Sequence, residues 1–118
     1  MDLKLRGKRV FISGSTTGIG RCTAETFLRE GASVYINGRT ETTVQEVVSQ
    51  LKADFPDASV KGIAADFADP AAVQSLIQQL PDIDILINNV GIYSSQSFFE
   101  TEDAEWQRQF EVNVMSGV

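Results

Sequence analysis

Short apolar runs rich in β-branched residues alternate along this chain with longer stretches whose apolar residues return every three or four positions. The first pattern is that of a buried strand and the second that of an amphipathic helix. Arg9 to Ser13 reads as a first strand, followed by a helix from Gly18 to Glu30 with Ala24, Phe27 and Leu28 inward and Gly31 as its stop. Ser33 to Asn37 is a second strand. From Thr40 a second helix turns Val44, Val47, Val48, Leu51 and Phe55 to one side, and Pro56 closes it. A third strand covers Val60 to Ala64. The third helix has Asp69 as cap, Pro70 in its first turn, Val73, Leu76, Ile77 and Leu80 inside, and Pro81 beyond its end. Ile83 to Ile87 is a fourth strand, apolar enough to be covered on both faces. A loop from Asn88 to Glu100 leads to a last helix from Thr101, with Glu102 and Asp103 in its first turn. That helix carries Trp106, Phe110 and Val114 and runs on to Val118 with no stop signal.

Strand and helix in strict alternation imply an α/β fold with a parallel sheet. No linker, repeat or low-complexity segment interrupts the 118 residues, which make one domain. A doubly wound sheet ordinarily continues beyond four strands, so the chain reads as the first half of something larger.

Composition narrows the partners. The net charge is −6 with no Lys/Arg cluster, which argues against nucleic acid or an anionic membrane surface. Cys22 is the one cysteine, so no internal disulfide is possible, and its thiol is either reactive at a helix start or inert. There is no histidine, which removes His-based metal sites and His-dependent nucleophile triads; no metal is expected. Neither a signal peptide nor an apolar run of membrane-spanning length is present, and a cytoplasmic protein is the default expectation.

The chemistry concentrates after the first strand, in Ser13-Gly14-Ser15-Thr16-Thr17-Gly18-Ile19-Gly20. Glycines at a strand-to-helix turn let the backbone approach a bulky anion, and the helix that starts there points free N–H groups and its positive end at the same spot. A dinucleotide pyrophosphate is the expected ligand, held by Gly14, Ser15, Thr16, Thr17, Gly18, Ile19 and Gly20. The spacing differs from Gly-x-Gly-x-x-Gly, and no Lys-Ser/Thr pair follows as a triphosphate loop requires. Plain turn chemistry is the competing reading.

At the end of the second strand stands Asn37-Gly38-Arg39-Thr40. NAD enzymes place an acid about twenty residues beyond the glycines to hold the ribose hydroxyls. Here Gly38 occupies that place and Arg39 follows, a guanidinium suited to a 2′-phosphate, with Thr40 in support. NADP is therefore expected over NAD; the alternative keeps NAD, with Glu41 as the ribose acid.

Further along, Asp66-Phe67 follows the third strand, Asn88-Asn89-Val90-Gly91 follows the fourth, and Asn113 lies in the last helix. Taken in order with the glycine turn, these make the chain similar to the N-terminal half of the short-chain dehydrogenase/reductase family, with valine where that family's Asn-Asn-Ala-Gly has alanine. Singly, Asp66 reads equally as a cap and Asn113 as an exposed helix residue. The resemblance implies a Rossmann-like, doubly wound sheet with its first four strands in the order 3-2-1-4 and helices on both faces. It implies hydride transfer between a nicotinamide and a carbonyl or alcohol substrate. It places Asp66 and Phe67 on the adenine side, Asn89, Val90 and Gly91 at the ribose nearer the nicotinamide, and Asn113 in the catalytic relay. It also implies a homodimer or homotetramer formed through the last helix.

The family's Tyr-x-x-x-Lys pair is absent: Tyr35 is followed four positions on by Arg39, and Tyr93 by Ser97. The isolated 118 residues are therefore expected to be inactive, and a non-catalytic nucleotide-binding or interaction module is the rival reading. Ile92, Tyr93, Phe98 and Phe99 either line a substrate pocket or pack down on a helix. With no fifth strand beside it, the fourth is expected to be an apolar edge prone to self-association.

Overall fold

The computed structural model describes residues 1–118. Four strands, β1 (Arg9–Ile12), β2 (Ser33–Gly38), β3 (Val60–Ala64) and β4 (Ile85–Ile87), form one sheet in the order β3-β2-β1-β4. Every neighbouring pair is parallel: Val10 lies beside Val34 and Ile85, and Val34 lies beside Val60. The connections are helices α1 (Gly18–Arg29), α2 (Glu41–Asp54) and α3 (Pro70–Gln79); α4 (Asp103–Asn113) follows β4.

Side chains alternate along each strand, and the two faces receive different cover. Val10 and Ile12 of β1, Val34 and Ile36 of β2 and Val60 of β3 meet Ala24 and Leu28 of α1 and Val44, Val47, Val48 and Leu51 of α2 in the main core. Phe11, on the opposite face, packs with Ala65 and Leu76, flanked by Tyr35, Ile63 and Phe67. Helices on both faces make the sheet doubly wound, as expected. Helix ends follow local chemistry: the Asp69 carboxylate accepts from the Ala71 N–H at 3.0 Å, and Pro70 opens α3. At the end of α1 the Gly31 and Ala32 N–H groups close back on the carbonyls of Leu28 and Phe27, a paired C-terminal closure.

Four expectations change. The strand expected over Ile83 to Ile87 covers Ile85–Ile87, and Leu86 is 58% exposed, because β4 pairs with β1 alone and its second face has no helix on it. Ile77, expected inside, is 62% exposed, since Leu76 already fills the one row that α3 offers to Phe11. The last helix begins at Asp103, with Glu102 as its cap residue, and stops at Asn113, where a 3₁₀ turn over Met115–Gly117 takes over. Trp106, Phe110 and Val114 stand half exposed on it, while Val112 is its one buried residue. The radius of gyration, 15.6 Å, exceeds the about 13.5 Å expected of a compact chain this long.

Candidate functional site

Three polar side chains are buried in this protein, Ser13, Ser15 and Asn37, and all sit where β1 and β2 end. That is also where strand order turns, β1 lying between β2 and the later β4, and open α/β sheets bind ligands in the crevice at such a point. Buried polar groups need partners, and here the partners shape the glycine turn.

The Gly14 backbone is gripped from both sides. Its N–H donates to the Asn37 Oδ1 at 3.0 Å, and its carbonyl accepts from the Asn89 Nδ2 at 3.0 Å. Asn37 also donates through Nδ2 to the carbonyls of Ile63 at 3.1 Å and Ala65 at 3.3 Å, tying the turn to the end of β3. The Ser15 hydroxyl donates to the Ile12 carbonyl at 2.8 Å and accepts from the Asn37 N–H at 2.9 Å. On the β4 side the Ser13 hydroxyl accepts from the N–H groups of Asn89 at 3.0 Å and Val90 at 3.2 Å. Gly14 and Gly18 both have φ of +59°, the left-handed region that a side chain disfavours. Gly20 is required for another reason: a Cβ there would collide with the Gly14 carbonyl and come within 2.6 Å of the Asn89 Nδ2.

The outcome is a row of free donors. The N–H groups of Thr16 and Thr17 have no acceptor in the protein, and those of Gly18, Ile19 and Gly20 have none within α1, as the first turn of any helix dictates. Thr17 stands at the cap position, yet its side chain makes no cap hydrogen bond. No acidic residue lies in the first turn of α1, so its positive end is uncompensated. These residues fit a diphosphate.

The flanks are arranged around that row. Arg39 is exposed at the end of β2 and makes no ion pair or hydrogen bond, whereas Arg21 is held by Glu25 at 3.5 Å. Asp66 is exposed just past β3, its Oδ1 accepting from the Ala68 N–H at 2.9 Å in the turn that precedes α3, whose cap is Asp69. The Phe67 ring is turned to Phe11, with centroids 6.5 Å apart. Val90 and Gly91 continue from the Asn89 clamp to Ile92, whose N–H donates to the Asn113 Oδ1 at 2.7 Å and whose carbonyl accepts from its Nδ2 at 3.0 Å. The Asn113 side chain thus holds the Ile92 backbone through both its N–H and its carbonyl, and with it the segment after β4 against α4.

Residues whose role is not evident from sequence do much of this positioning. Asn37 and Ser13 end otherwise apolar strands, and a polar residue in that place was the available signal. Gln109 accepts from Asn113 Nδ2 at 2.9 Å and donates to Glu105 Oε1 at 2.9 Å, and Ser94 donates to the same oxygen at 2.8 Å. Glu105, Gln109 and Asn113 follow a four-residue step along α4. Hydrogen bonds from Gln109 and Ser94 hold the Glu105 carboxyl below its ordinary range, with Arg108 adding to the effect.

Of the loop aromatics, Phe98 packs edge-on against Phe99 at 5.4 Å and against Trp106 of α4 at 5.9 Å. Tyr93, Phe98 and Phe99 all stay exposed, so Phe98 meets α4 only by its edge contact with Trp106, and of the four only Ile92 is half-buried. A cleft of about 480 Å³ lies at the opposite end of the sheet among Arg6, Arg29, Phe55 and Asp57; it is remote from the free donors and contains no unsatisfied buried polar side chain.

Comparison with known proteins agrees with this fold. Residues 8–118 match the short chain dehydrogenase family. The chain belongs to that family. It is 42% identical over 118 residues to the uncharacterized oxidoreductase YvaG of Bacillus subtilis, covering all of this chain and 45% of that protein. It is 30% identical to the 3-oxoacyl-[acyl-carrier-protein] reductase FabG of Escherichia coli, over 97% of this chain and 46% of the relative. Among solved structures, L-sorbose reductase from Gluconobacter frateurii, complexed with NADPH and L-sorbose, superimposes with a TM-score of 0.91 at 34% identity, covering 99% of this chain and 46% of that one. The chain spans about half the length of the short-chain dehydrogenase relatives it matches. No helix is long and apolar enough to cross a membrane.

Proposed function

We propose that this chain is the cofactor-binding half of an NADP(H)-preferring short-chain oxidoreductase that acts on a small carbonyl or alcohol substrate. The observation that carries the reading is the row of free N–H groups from Thr16 to Gly20, held open by the Asn37 and Asn89 clamps on Gly14. Gly14, Ser15, Thr16, Thr17, Gly18, Ile19 and Gly20 surround the pyrophosphate in this reading. Arg39 takes the 2′-phosphate. Asp66 and the Phe67 segment border the adenine, and Asn89, Val90 and Gly91 the ribose nearer the nicotinamide. The bound nicotinamide supplies the hydride chemistry.

The protein's own part is positional. Asn113 fixes the Ile92 backbone, Gln109 holds Asn113 and Glu105 holds Gln109, so the wall beside the nicotinamide is set by α4. No Tyr-x-x-x-Lys pair lies within these residues to move a proton at the carbonyl oxygen, so the 118 residues alone bind cofactor without turning over. A homodimer or homotetramer in the cytoplasm belongs to the same reading. A non-catalytic nucleotide-binding module is the alternative, and it shares the same donors.

The test is a titration of this chain with NADPH and NADH, followed by nicotinamide fluorescence. Wild type is expected to bind NADPH more tightly. Arg39→Ala weakens NADPH about tenfold, the value of one exposed charge-assisted phosphate contact, and leaves NADH unchanged. Preference for NADH in the wild type refutes the cofactor assignment, and binding of neither refutes the nucleotide site.

A further inference from the structure

Gly38 stands where NAD enzymes carry their ribose acid, and the space beside it is already filled. A Cβ on Gly38 would lie 2.6 Å from the Thr16 Cγ2 and 3.1 Å from the Val44 Cγ2. Carbon atoms in good contact sit about 3.5–4.0 Å apart, so the first approach is an overlap of about an ångström. Val44 is fully buried in the main core and closes the other side, while the Thr16 Oγ1 is 3.4 Å away. Gly38 is itself buried, and its carbonyl accepts from the Ala65 N–H at 2.9 Å, so the backbone there has little room to swing out.

We infer that Thr16 and Gly38 form a packed pair that shuts an acidic side chain out of this place, so that discrimination at the ribose 2′-position is set by Thr16 as well as by Arg39. The inference rests on the nucleotide-binding reading above and deepens it. Thr16 belongs to the glycine turn and offers its backbone N–H to the diphosphate, while its side-chain methyl polices the end of β2. Replacing Gly38 by an acid is therefore insufficient to create an NAD site. The added carboxylate displaces Thr16 and disturbs the donor row with it. Removing the two Thr16 branches opens the place and keeps the backbone donor.

The experiment is a two-by-two set: wild type, Thr16→Ala, Gly38→Asp and the double variant, each titrated with NADPH and NADH, with melting temperature recorded. Gly38→Asp alone is expected to melt about 3–10 °C lower, as overpacking of a buried position does, and to bind both cofactors at least tenfold more weakly. In the double variant the melting temperature recovers, and NADH binds more tightly than NADPH. Gly38→Asp alone binding NADH as tightly as wild type binds NADPH, with an unchanged melting temperature, overturns the inference. So does a double variant that recovers neither property. If Gly38→Asp does not fold, Gly38→Ala with and without Thr16→Ala decides by melting temperature: recovery on adding Thr16→Ala supports the pair, and additive losses refute it. A wild type that binds neither cofactor refutes the nucleotide site itself, and the melting comparison still judges the packing.

Discussion

Asn37 gives the sharpest perturbation, because one buried side chain joins the glycine turn to the end of β3. It is 1% exposed, takes the Gly14 N–H at 3.0 Å, and gives hydrogen bonds to the Ile63 and Ala65 carbonyls at 3.1 and 3.3 Å. Asn37→Leu removes all three while keeping the branched skeleton, and its bulkier methyl groups add some overpacking. Each is worth about 1 kcal/mol net, and stranded partners add to the loss, so a destabilisation of about 3 kcal/mol is expected. In a domain of this size that lowers the melting temperature by roughly 10 °C. Asn37→Asp keeps the acceptor for Gly14 but turns an anionic oxygen toward two carbonyls. Burial and those carbonyls push the new carboxyl group's pKa above its unfolded value of about 3.9. The folded state then binds more protons between those two values. Its penalty is full above the raised value, shrinks as pH falls through it, and is gone below about pH 4. Urea unfolding from pH 7 down to pH 4 measures the gap between wild type and each variant. The Asn37→Asp gap should narrow on acidification while the Asn37→Leu gap stays constant. A pH-independent Asn37→Asp gap, or losses below about 0.5 kcal/mol for both variants, would refute the clamp.

Other consequences of the structure are equally direct. Gly20→Ala gains helix propensity of up to about 1 kcal/mol but drives a methyl into the Gly14 carbonyl and Asn89 Nδ2, so NADPH affinity falls at least tenfold by titration; unchanged affinity contradicts the close packing. Because Glu105 has a lowered carboxyl pKa, its hold on Ser94 and Gln109 is present above pH 4.5 and lost as pH falls through the lower folded value. The fluorescence of neighbouring Trp106 should report that loss in wild type and show no such step in Glu105→Gln. Leu86→Lys places a charge on the exposed face of edge strand β4 and is expected to reduce concentration-dependent association in sedimentation velocity, with wild type as reference.

Much of the fold was legible because its signals are local. The apolar periodicity of α2 named Val44, Val47, Val48 and Leu51, and all four are buried. Asp69 and Pro70 announced the start of α3, and Gly31 the end of α1. The glycine turn and Arg39 were named as candidate site residues from their places at strand ends, and Asp66 and Asn89 from the family resemblance. Exposure was less legible. Ile77, Leu86, Trp106 and Phe110 are as apolar as the core residues, and no local pattern states whether a neighbouring element arrives to cover them.

By itself, then, the chain's order of residues determined the alternation of strand and helix, the parallel sheet and the glycine-rich turn, since each depends on backbone preferences and periodicities within a few residues. Tertiary structure alone decided what holds that turn open. The Asn37 and Asn89 side chains grip Gly14 from the end of β2 and from just past β4, far away in sequence, Thr16 fills the space beside Gly38, and Glu105, Gln109 and Asn113 line up toward Ile92. Hydrogen bonds and van der Waals contacts act over a few ångströms, and only the folded sheet brings these groups within that range.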